Sequence, residues 1–471
     1  MSAAALEDLL SRNASRFGER AAIEGFHDGR WEIISWIQFA EMADAARRRA
    51  VGLSGTVLFA LDNSAPALAA LLGLSCAGVT LVVAEADSAH LADPRSVFHT
   101  TGARHLVMPG SRRAPAGYEV VSAVDLTEPG RVPPYSATNT VDGVDPVILQ
   151  STSGSTGEPR LAIQTLGNLL TGSRLYERIY SVTQSDRILA AVPAAHSFGM
   201  VAGLLTAVMS GGTLVTFNGF SPRGAREAIE RGATLVLGTP LVYELLNRTT
   251  PAWCGEVRTA LSSGGPLPAE VARAASARLG TAVLQAYGST ETGLIACQYP
   301  SVEPWPDGCV GAPAPGVRLE LSSDGELFAW TGTMFRGYHG YRAAPLDEFG
   351  YRTGDIARLD QEGHLYLVSR KDTFINVGGR KVNPVRVARI IGEHPDVVDS
   401  AVYGTVALGG EEVTAAVVLA RGDVPALLAY CRTRLAAYEV PHRVHVLDRL
   451  PRNGMGKIDR SKLPDEERTR G

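Results

Sequence analysis

Short apolar runs alternate with longer helical patterns over the first 370 or so residues. The runs GTVLFAL (55–61), VTLVV (79–83) and GTLVTF (212–217) are typical of buried strands. Between such runs lie segments with the length and composition of buried helices, for example APALAALLGLSCAG (65–78) and MVAGLLTAVMSG (200–211). Strand–helix alternation of this kind predicts mostly parallel sheets covered by helices.

The pattern changes near residue 370. The stretch GHLYLVSRKDTFINVGG (363–379) predicts a strand, a charged break and a second strand, and shorter helices and strands alternate after it. We therefore predict two domains: a large α/β domain over residues 1–371 and a smaller α+β domain over residues 372–471. The length of 471 residues agrees with more than one core.

Composition narrows the class of protein. A net charge of −4 argues against a dedicated nucleic-acid binder, and no apolar run has membrane-spanning length. The first twenty residues have no apolar core segment, so we expect no signal peptide. The five cysteines are scattered and form no CxxC pair, which favours a reduced protein over a zinc site. We expect a cytoplasmic protein with neither a nucleic-acid nor a membrane partner.

The stretch QSTSGSTGEPR (150–160) concentrates hydroxyls and backbone donors, since seven of its eleven residues are Ser, Thr or Gly. Such a loop can point successive N–H groups at one anion, and Arg160 adds a planar cation suited to phosphate. It is not a Walker A loop, because GxxxxGK[ST] does not occur. By itself the stretch leaves open an anion cradle or a flexible linker.

Two further stretches contain polar chemistry. In QAYGSTETG (285–293), Tyr287 could stack on a base, Thr290 could contact a phosphate and Glu291 could bind Mg²⁺. In GYRTGD (350–355), we expect a glycine turn that ends in Asp355, whose carboxylate could accept both hydroxyls of a ribose diol. Each stretch alone is equally compatible with a plain turn.

The predicted domain boundary and the far end of the chain each offer one candidate. SRKD (369–372) lies at the boundary, which makes Asp372 a hinge candidate rather than only part of a solvated charge cluster. PRNGMGKIDR (451–460) places Lys457 beside glycines that allow a backbone to approach a ligand. Loop lysines are more often simply solvated.

Taken together and in this order, the stretches resemble those of the adenylate-forming enzymes, a superfamily that includes acyl-CoA synthetases, peptide-synthetase adenylation domains and luciferase. The resemblance covers nearly the whole chain and includes PAAHSFGM (193–200), SSGGPLP (262–268) and GELFAWTGTMFRGY (325–338). It implies a large domain with mostly parallel sheets plus a β-barrel-like part, and a mobile C-terminal domain.

The resemblance also implies a site for ATP and Mg²⁺. Glu291 would bind the metal, and Lys457, Thr290, Glu291 and His196 would be the catalytic residues. The residues implied for the nucleotide are Ser151, Thr152, Ser153, Gly154, Ser155, Thr156, Gly157, Arg160, Gly264, Gly265, Pro266, Ala286, Tyr287, Gly288, Ser289, Thr290, Asp355, Arg370 and Lys457. Those implied for the acid pocket are His196, Phe198, Gly199, Met200, Ser263, Gly264, Ala286 and Gly288.

The implied reaction has two steps. A small carboxylic acid attacks the α-phosphorus of ATP, pyrophosphate leaves, and an acyl-adenylate remains. The small domain then turns about Asp372, Lys457 leaves, and the face with Gly378 and Gly379 admits the thiol of coenzyme A or of a separate carrier protein. We expect no carrier domain after Lys457.

The acid is expected to lack an α-amino group. Relatives that activate amino acids usually carry an Asp in the region of residues 193–200 to pair the ammonium, and none is present. An unpaired ammonium in a buried pocket is costly. We therefore favour an aryl acid or an acyl acid of modest size.

Three positions depart from the family pattern. Arg160 stands where the family usually has lysine, and Arg386 and Ala388 stand where it usually has acidic residues. These departures keep open a non-thiol acceptor, either an amine or the nitrite of a diazotising relative. A non-catalytic nucleotide-binding protein is the third alternative, which the joint presence of Thr290, Glu291, Asp355 and Lys457 argues against.

Overall fold

The structure is a computed structural model. It describes residues 3–27, 29–53, 55–91, 93, 96–110, 117–128, 145–152, 160–248, 255–300, 305–306, 308–341, 346–371, 375–377, 380–407, 410–453 and 456–464.

The described α-helices are α1 (Ala3–Phe17), α2 (Trp36–Arg49), α3 (Ala65–Cys76), α4 (Ala123–Thr127), α5 (Leu166–Ile179), α6 (Thr206–Ser210), α7 (Pro222–Glu230), α8 (Pro240–Arg248), α9 (Ala269–Leu279), α10 (Pro384–Gly392) and α11 (Val424–Arg432). A π-helical stretch, Gly199–Leu205, leads directly into α6. Short 3₁₀ turns span Ala50–Gly52, Ala89–Leu91, Val97–Thr101 and Arg460–Lys462.

The strands of the large domain are β1 (Ala21–His27), β2 (Arg30–Ser35), β3 (Thr56–Leu61), β4 (Thr80–Glu85), β5 (His105–Met108), β6 (Glu119–Ser122), β7 (Val147–Thr152), β8 (Arg160–Thr165), β9 (Arg187–Ala190), β10 (Thr213–Phe217), β11 (Leu235–Gly238), β12 (Thr259–Ser262), β13 (Val283–Ser289), β14 (Gly293–Cys297), β15 (Cys309–Pro313), β16 (Arg318–Leu321), β17 (Glu326–Trp330), β18 (Leu346–Asp347), β19 (Gly350–Leu359) and β20 (Leu365–Arg370). Those that follow are β21 (Ile375–Val377), β22 (Arg380–Val382), β23 (Val397–Ala407), β24 (Gly410–Leu419) and β25 (Arg443–Val446).

Two sheets with parallel cores form the large domain. The first has the order β6-β5-β3-β4-β7-β8 and is parallel except for β8. The second has fourteen strands, and its central part, β13-β12-β11-β9-β10-β1, is parallel throughout. Buried strands of this kind agree with the continuous apolar runs in the sequence.

The rest of the second sheet is antiparallel. From β13 it continues through β14, β15, β20, β19 and β17 to β16, with β18 beside β19. The resemblance implied a β-barrel-like part of the large domain without giving its position, and that part stays a prediction.

The first main core contains α3, a helix with almost no exposed face. Of its twelve residues, every one except Pro66 is buried. Ser64 caps it by accepting the amide of Ala67, and Pro66 lies in its first turn, where a missing N–H costs nothing. A helix that is apolar all round belongs in a core, and α3 packs there with residues from α1, α2, β3 and the π-helical stretch.

The small domain is an α+β unit, as the sequence predicted. β23, β24 and β25 form its sheet, β21 and β22 form a hairpin, and α10 and α11 complete a separate core. Together the two parts confirm the predicted fold class of a large, mostly parallel α/β domain and a smaller C-terminal domain.

One local prediction was wrong. Asp355 was expected at the end of a glycine turn, but it lies inside the ten-residue strand β19, opposite Arg370 of β20. Sheet pairing on both sides of β19 extends the backbone there, and the turn is confined to the residues before Gly350. None of the helices among the described residues combines the length and apolar character that a membrane-spanning helix requires.

Candidate active site

The candidate site lies where the two parallel sheets present their carboxyl ends to each other. β3, β4 and β7 end there from the first sheet, and β9, β11, β12 and β13 end there from the second. Ligand sites of open α/β sheets lie at this edge, because the loops that follow the strands converge on it.

Asn63, directly after β3, joins the two sheets. Its Oδ1 accepts the amide of Ala194 at 2.8 Å, its Nδ2 donates to the carbonyl of Val192 at 3.4 Å, and its own amide donates to Asn218 Oδ1 at 2.9 Å. Because Asn63 is buried, these bonds are protected from water.

Gln150, one residue before the polar loop, makes the second connection. Its Nε2 donates to the carbonyl of Ala195 at 3.1 Å, and its Oε1 accepts the hydroxyl of Ser197 at 3.0 Å. The segment 192–197, which follows β9, is thereby fixed against the end of β7. This brings the predicted acid pocket beside the predicted phosphate loop.

The described ends of the polar loop are held by strand pairing. Ser151 and Thr152 complete β7, Arg160 begins β8, and Thr152 is opposite Arg160 in the antiparallel ladder. Ser153, Gly154, Ser155, Thr156 and Gly157 lie outside the described residues. The phosphate contacts expected of them stay a prediction.

Arg160 is held by aromatic rings. Its guanidinium carbon lies 5.4 Å from the ring centre of Tyr338 and 5.6 Å from that of Tyr341. A planar cation can stack on such rings, and a compact ammonium uses them less fully. The two rings give a physical reason for arginine at a position where the family usually has lysine.

Glu291 lies at the turn after β13 and is buried, with 8% of its surface exposed. The hydroxyl of Tyr338 donates to its Oε1 at 2.7 Å, and the hydroxyl of Tyr351 is 3.2 Å from that of Tyr338. Burial first, and the Glu291 charge second, raise the pKa of Tyr338, so its hydroxyl remains a donor. The other carboxylate oxygen receives no hydrogen bond from the residues described, which suits a hard cation such as Mg²⁺.

The turn that contains Thr290 and Glu291 is fixed through its backbone. The side chain of Gln164 donates to the carbonyl of Thr290, and the amide of Phe335 donates to that of Glu291 at 2.8 Å. Gly288, just before the turn, has no room for a side chain, since a Cβ there would lie 2.1 Å from the carbonyl oxygen of Gly293.

Tyr287, Asp355 and Arg370 form the next cluster. The Tyr287 hydroxyl donates to Asp355 Oδ2 at 2.5 Å, and Arg370 Nε lies 3.6 Å from Asp355 Oδ1. Burial first and Asp355 second raise the pKa of Tyr287 well above its usual value. The cluster thus holds an aromatic ring, a carboxylate and a half-exposed guanidinium together. Their roles toward adenine and ribose stay predictions.

The residues implied for the acid pocket surround the segment after β9. Phe198 and Met200 are buried, and Gly199 packs so tightly that a Cβ would lie 2.2 Å from the carbonyl oxygen of Pro193. His196 is partly exposed and its Nε2 lies 2.6 Å from Oε1 of Glu85, the last residue of β4.

Two more predicted segments meet at the same edge. Ser263 follows β12 and its amide donates to the carbonyl of Gly238, the end of β11, at 3.1 Å. Gly264 has a φ of +90°, which favours glycine. Gly265 and Pro266 are exposed beyond it. Ala286 is buried in β13, and Ser289 completes that strand.

Lys457 of the small domain reaches this site. Loss of water around the ammonium, and next the positive charge of Arg370, lower the pKa of Lys457, while Glu291 and Asp355 act in the opposite direction. The residue still keeps an exposed surface. The structure therefore brings Lys457 together with three of the residues predicted for ATP and metal.

Gly456 is the contact on which that placement depends. It is buried and its φ is +74°, and a Cβ would lie 2.5 Å from Cδ2 and 2.8 Å from Cβ of Leu241, in α8 of the large domain. The amide of Lys457 donates to Asn453 Oδ1 at 2.9 Å, and Arg452 donates to the carbonyl of Gly456 at 2.9 Å. The loop is internally fixed and rests closely on α8.

The remaining two departures lie on α10. Arg386 forms an ion pair with Glu439, whose Oε2 also accepts the amide of Ala436 at 3.0 Å. Ala388 is partly buried against the small-domain core. Asp372, Gly378 and Gly379 lie outside the described residues, so the hinge and the acceptor face stay predictions.

Sequence reasoning missed Asn63, Glu85, Gln164, Tyr338 and Leu241. Asn63 and Glu85 could have been found, because polar residues directly after buried parallel strands tend to reach a ligand site. Gln164, Tyr338 and Leu241 carry no local signal, since their partners are distant in sequence.

The family model for the AMP-binding enzyme matches residues 10–339, and that for the AMP-binding enzyme C-terminal domain matches residues 386–457. The feruloyl-CoA synthase of Amycolatopsis sp. is 33% identical over 341 residues, which are 67% of this chain and 69% of the relative. The 2-succinylbenzoate–CoA ligase of Geobacillus kaustophilus is 33% identical over 354 residues, which are 70% of this chain and 71% of the relative.

Solved structures are similar over almost the whole length. The O-succinylbenzoate coenzyme A synthetase of Bacillus subtilis, in complex with ATP and a magnesium ion, superimposes with a TM-score of 0.83 at 25% identity. The match covers 97% of this chain and 98% of that one.

The stacked position of Arg160 generates a prediction. Replacing it in Arg160→Lys keeps the charge but loses the planar contact, so we expect the free energy of unfolding to fall by about 0.5–1 kcal/mol. ATP-dependent activity should fall by less than about tenfold, which is about 1.4 kcal/mol. Denaturant unfolding and steady-state kinetics would measure the two effects.

Arg336→Lys is the matched control, an exposed arginine whose amide donates to the carbonyl of Ile163 in β8. It should change neither quantity. A much larger loss of activity, in Arg160→Lys alone, would contradict the explanation by stacking. It would indicate bidentate hydrogen bonds between the guanidinium and the phosphates.

Proposed function

The chain belongs to the AMP-binding enzymes of the adenylate-forming superfamily, as an AMP-forming acid–thiol ligase, and we propose that it converts a carboxylic acid without an α-amino group into its coenzyme A thioester. The single observation that carries the proposal is that Lys457 lies within electrostatic reach of Arg370, Asp355 and Glu291. Lys457 comes from a different domain than the other three.

In the first step, we propose, an oxygen of the acid attacks the α-phosphorus of ATP. A new oxygen–phosphorus bond forms, the bond to the β-phosphate oxygen breaks, and pyrophosphate leaves with the electron pair. Two anionic reactants must approach each other, so the main task of the protein is to position them and to offset charge. The Lys457 ammonium, beside Arg370, is suited to that task.

Tyr287 and Asp355 are suited to hold the nucleoside. The Tyr287 ring offers a face to the adenine, and the Asp355 carboxylate, kept in place by the Tyr287 hydroxyl and Arg370, can accept ribose hydroxyls. Arg160, fixed over two rings, lies at the described end of the loop proposed for the β- and γ-phosphates.

Glu291 is the residue proposed to hold Mg²⁺. Its buried carboxylate has one oxygen bonded to Tyr338 and the other without a donor among the described residues, which fits a single metal contact. When bound, the metal would offset negative charge on the phosphate oxygens. Tyr338 fixes the carboxylate, so its orientation would not need to change on binding.

The acid is proposed to lie beside the segment 193–200. Phe198 and Met200 are buried apolar residues of this segment, and Gly199 packs against Pro193 with no room for a side chain. No acidic residue is present within this segment to pair an α-ammonium. The relatives named feruloyl-CoA synthase and 2-succinylbenzoate–CoA ligase act, by their names, on acids without an α-amine.

In the second step, the sulfur of coenzyme A would attack the carbonyl carbon of the acyl-adenylate. A carbon–sulfur bond forms, the bond between the carbonyl carbon and the phosphate oxygen breaks, AMP leaves with the electron pair, and the thiol proton passes to solvent. We propose that the small domain turns about Asp372 before this step. The names of the relatives favour coenzyme A as the acceptor over a carrier protein, an amine or nitrite.

A panel of carboxylic acids tests the function. Each acid would be supplied with ATP and Mg²⁺, pyrophosphate release would be followed, and products would be identified by mass spectrometry with and without coenzyme A. We expect pyrophosphate release with an aryl or short acyl acid, and a thioester only when coenzyme A is present. Release without any thioester would refute the proposed acceptor, and no release with any acid would refute the activity.

Lys457→Ala should separate the two steps. We expect adenylate formation to fall by at least about 10²–10³-fold, because one stabilising charge is lost where charge develops. Thioester formation from synthetic acyl-adenylate should be nearly unchanged, since Lys457 has left by then. Equal loss in both steps, in a folded variant, would refute the two-pose mechanism.

The same lysine should set a basic limb in the pH profile. Its pKa is lowered, so the ammonium loses its proton at a lower pH than an ordinary lysine, whose pKa is about 10.4. Consequently kcat/KM for adenylation, which reports the free enzyme, should decline as the pH rises, and the decline should begin at a pH below that value. Lys457→Arg retains its charge, so an active variant should show this decline at a higher pH than the wild type. Declines at the same pH in both proteins would count against the assignment to Lys457.

Gly456→Ala should disturb adenylation without touching a substrate. The added methyl would press on Leu241 and meet an unfavourable φ, so the small domain could not rest on α8 as it does now. We expect a large loss in adenylation and a small one in thioester formation from synthetic adenylate. The double variant Gly456→Ala/Leu241→Ala should recover part of the lost rate, and no recovery would show that the contact with Leu241 is not the cause.

A further inference from the structure

Glu85 faces the proposed acid cleft, yet it has no part in the chemistry described so far. It ends β4, whose Val83 is opposite Gln150 of β7 in the parallel ladder. Two residues further along both strands, Glu85 stands level with Thr152, where the polar loop begins. On its other side its Oε1 lies 2.6 Å from Nε2 of His196.

The Glu85–His196 pair borders an opening and is not packed in the core. The side chain of Glu85 is 22% exposed and that of His196 is 25% exposed. A ligand beside the segment 193–200 would therefore meet both groups. His196 is also fixed through its backbone, because its amide donates to the carbonyl of Pro193 and its carbonyl accepts the amide of Met200.

The net charge of the Glu85–His196 pair is negative or zero. Within the part of the chain that the structure describes, His196 is the one basic group within ion-pair distance of Glu85. A carboxylate paired with one imidazole has a net charge of −1 or 0, depending on the proton of the ring. The Glu85–His196 pair therefore has no net positive charge with which to bind a second carboxylate of the acid.

Two side-chain donors near the pair are already used. The Ser197 hydroxyl donates to Gln150, and the Gln150 amide donates to the carbonyl of Ala195. Glu85 Oε2, by contrast, receives no hydrogen bond from any described residue. An acceptor without a donor favours a ligand that brings a hydroxyl, amide or amine hydrogen.

We propose that Glu85 is a specificity-determining residue of the acid cleft. It favours acids in which the part beyond the reacting carboxylate is neutral or carries a hydrogen-bond donor, and it disfavours dicarboxylic acids. This inference rests on the proposed function, because it assumes that the acid lies beside His196. Opposed like charges are an effective way to exclude a wrong ligand. The inference narrows the class of acid beyond the absence of an α-amine.

Isosteric pairs of acids test the proposal. Terephthalic acid and its monoamide form an aryl pair, and adipic acid and its monoamide form a chain pair. For each pair, kcat/KM for pyrophosphate release would be measured with the wild type and with Glu85→Gln, which keeps the size and the contact with His196. We expect the wild type to prefer the monoamide by about tenfold or more, since like charges interact strongly in a partly buried site.

In Glu85→Gln that preference should shrink by about tenfold, mainly through a gain with the dicarboxylic acid. Glu320→Gln, on an exposed part of β16, is the control and should keep the wild-type ratio. A wild-type ratio near one, or a ratio that Glu85→Gln leaves unchanged, would overturn the assignment.

A binding measurement on the wild type makes the result independent of turnover and of how well the variant folds. Acyl-sulfamoyl adenosines of the two members of each pair would be titrated by calorimetry. Tighter binding of the monoamide analogue supports the role of Glu85 even if no acid releases pyrophosphate, which would refute only the catalytic proposal. Equal binding, or tighter binding of the dicarboxylic analogue, would overturn the role of Glu85 whatever the kinetics show.

Discussion

Everything at the candidate site depends on how the carboxyl ends of two separate sheets are held against each other. Asn63 and Gln150 belong to the first sheet, and each bonds the backbone of the segment 192–197 from the second. These bonds are buried, and a buried amide that loses its partner costs more than the bond itself contributes. The two edges therefore keep one relative position, and the loops that follow the strands converge on the same space.

The small domain is attached in a different way. The two sheets are joined by buried hydrogen bonds, whereas the loop that carries Lys457 meets α8 by close packing of Gly456 on Leu241. Apolar packing of this kind opens without leaving a donor or acceptor unsatisfied, so the Gly456–Leu241 contact can be released at low cost. The loop is at the same time rigid within itself, through Asn453 and Arg452. A rigid loop on a releasable contact suits a residue that must serve one step and be absent from the next.

The sequence predicted the architecture well, because apolar strand runs, caps and glycines act locally. The runs at 55–61, 79–83 and 212–217 became β3, β4 and β10, each with neighbours on both sides. Asp355 was misplaced because pairing with β17 and β20, which are distant in sequence, decides its conformation. The resemblance named Glu291 and Arg160, but their shared partner Tyr338 could not be predicted, since it is distant from both in sequence. Glu85, at the end of the buried strand β4, carried a local signal, but its partner His196 is distant in sequence.

The distribution of charge completes the argument. Arg160, Arg370 and Lys457 lie on the side proposed for the nucleotide, where they would face the phosphates, and the carboxylates there are held by hydroxyls or by Arg370. On the side proposed for the acid, Glu85 and His196 form the charged or chargeable pair, and Phe198, Met200 and Ala286 are apolar. The reacting carboxylate would then be drawn toward the cationic side and away from Glu85, so the same field that attracts the reacting end would orient the rest of the acid. Because Lys457 arrives only with the small domain, the attraction is greatest when both domains meet, and orientation of the acid and closure of the site would reinforce each other.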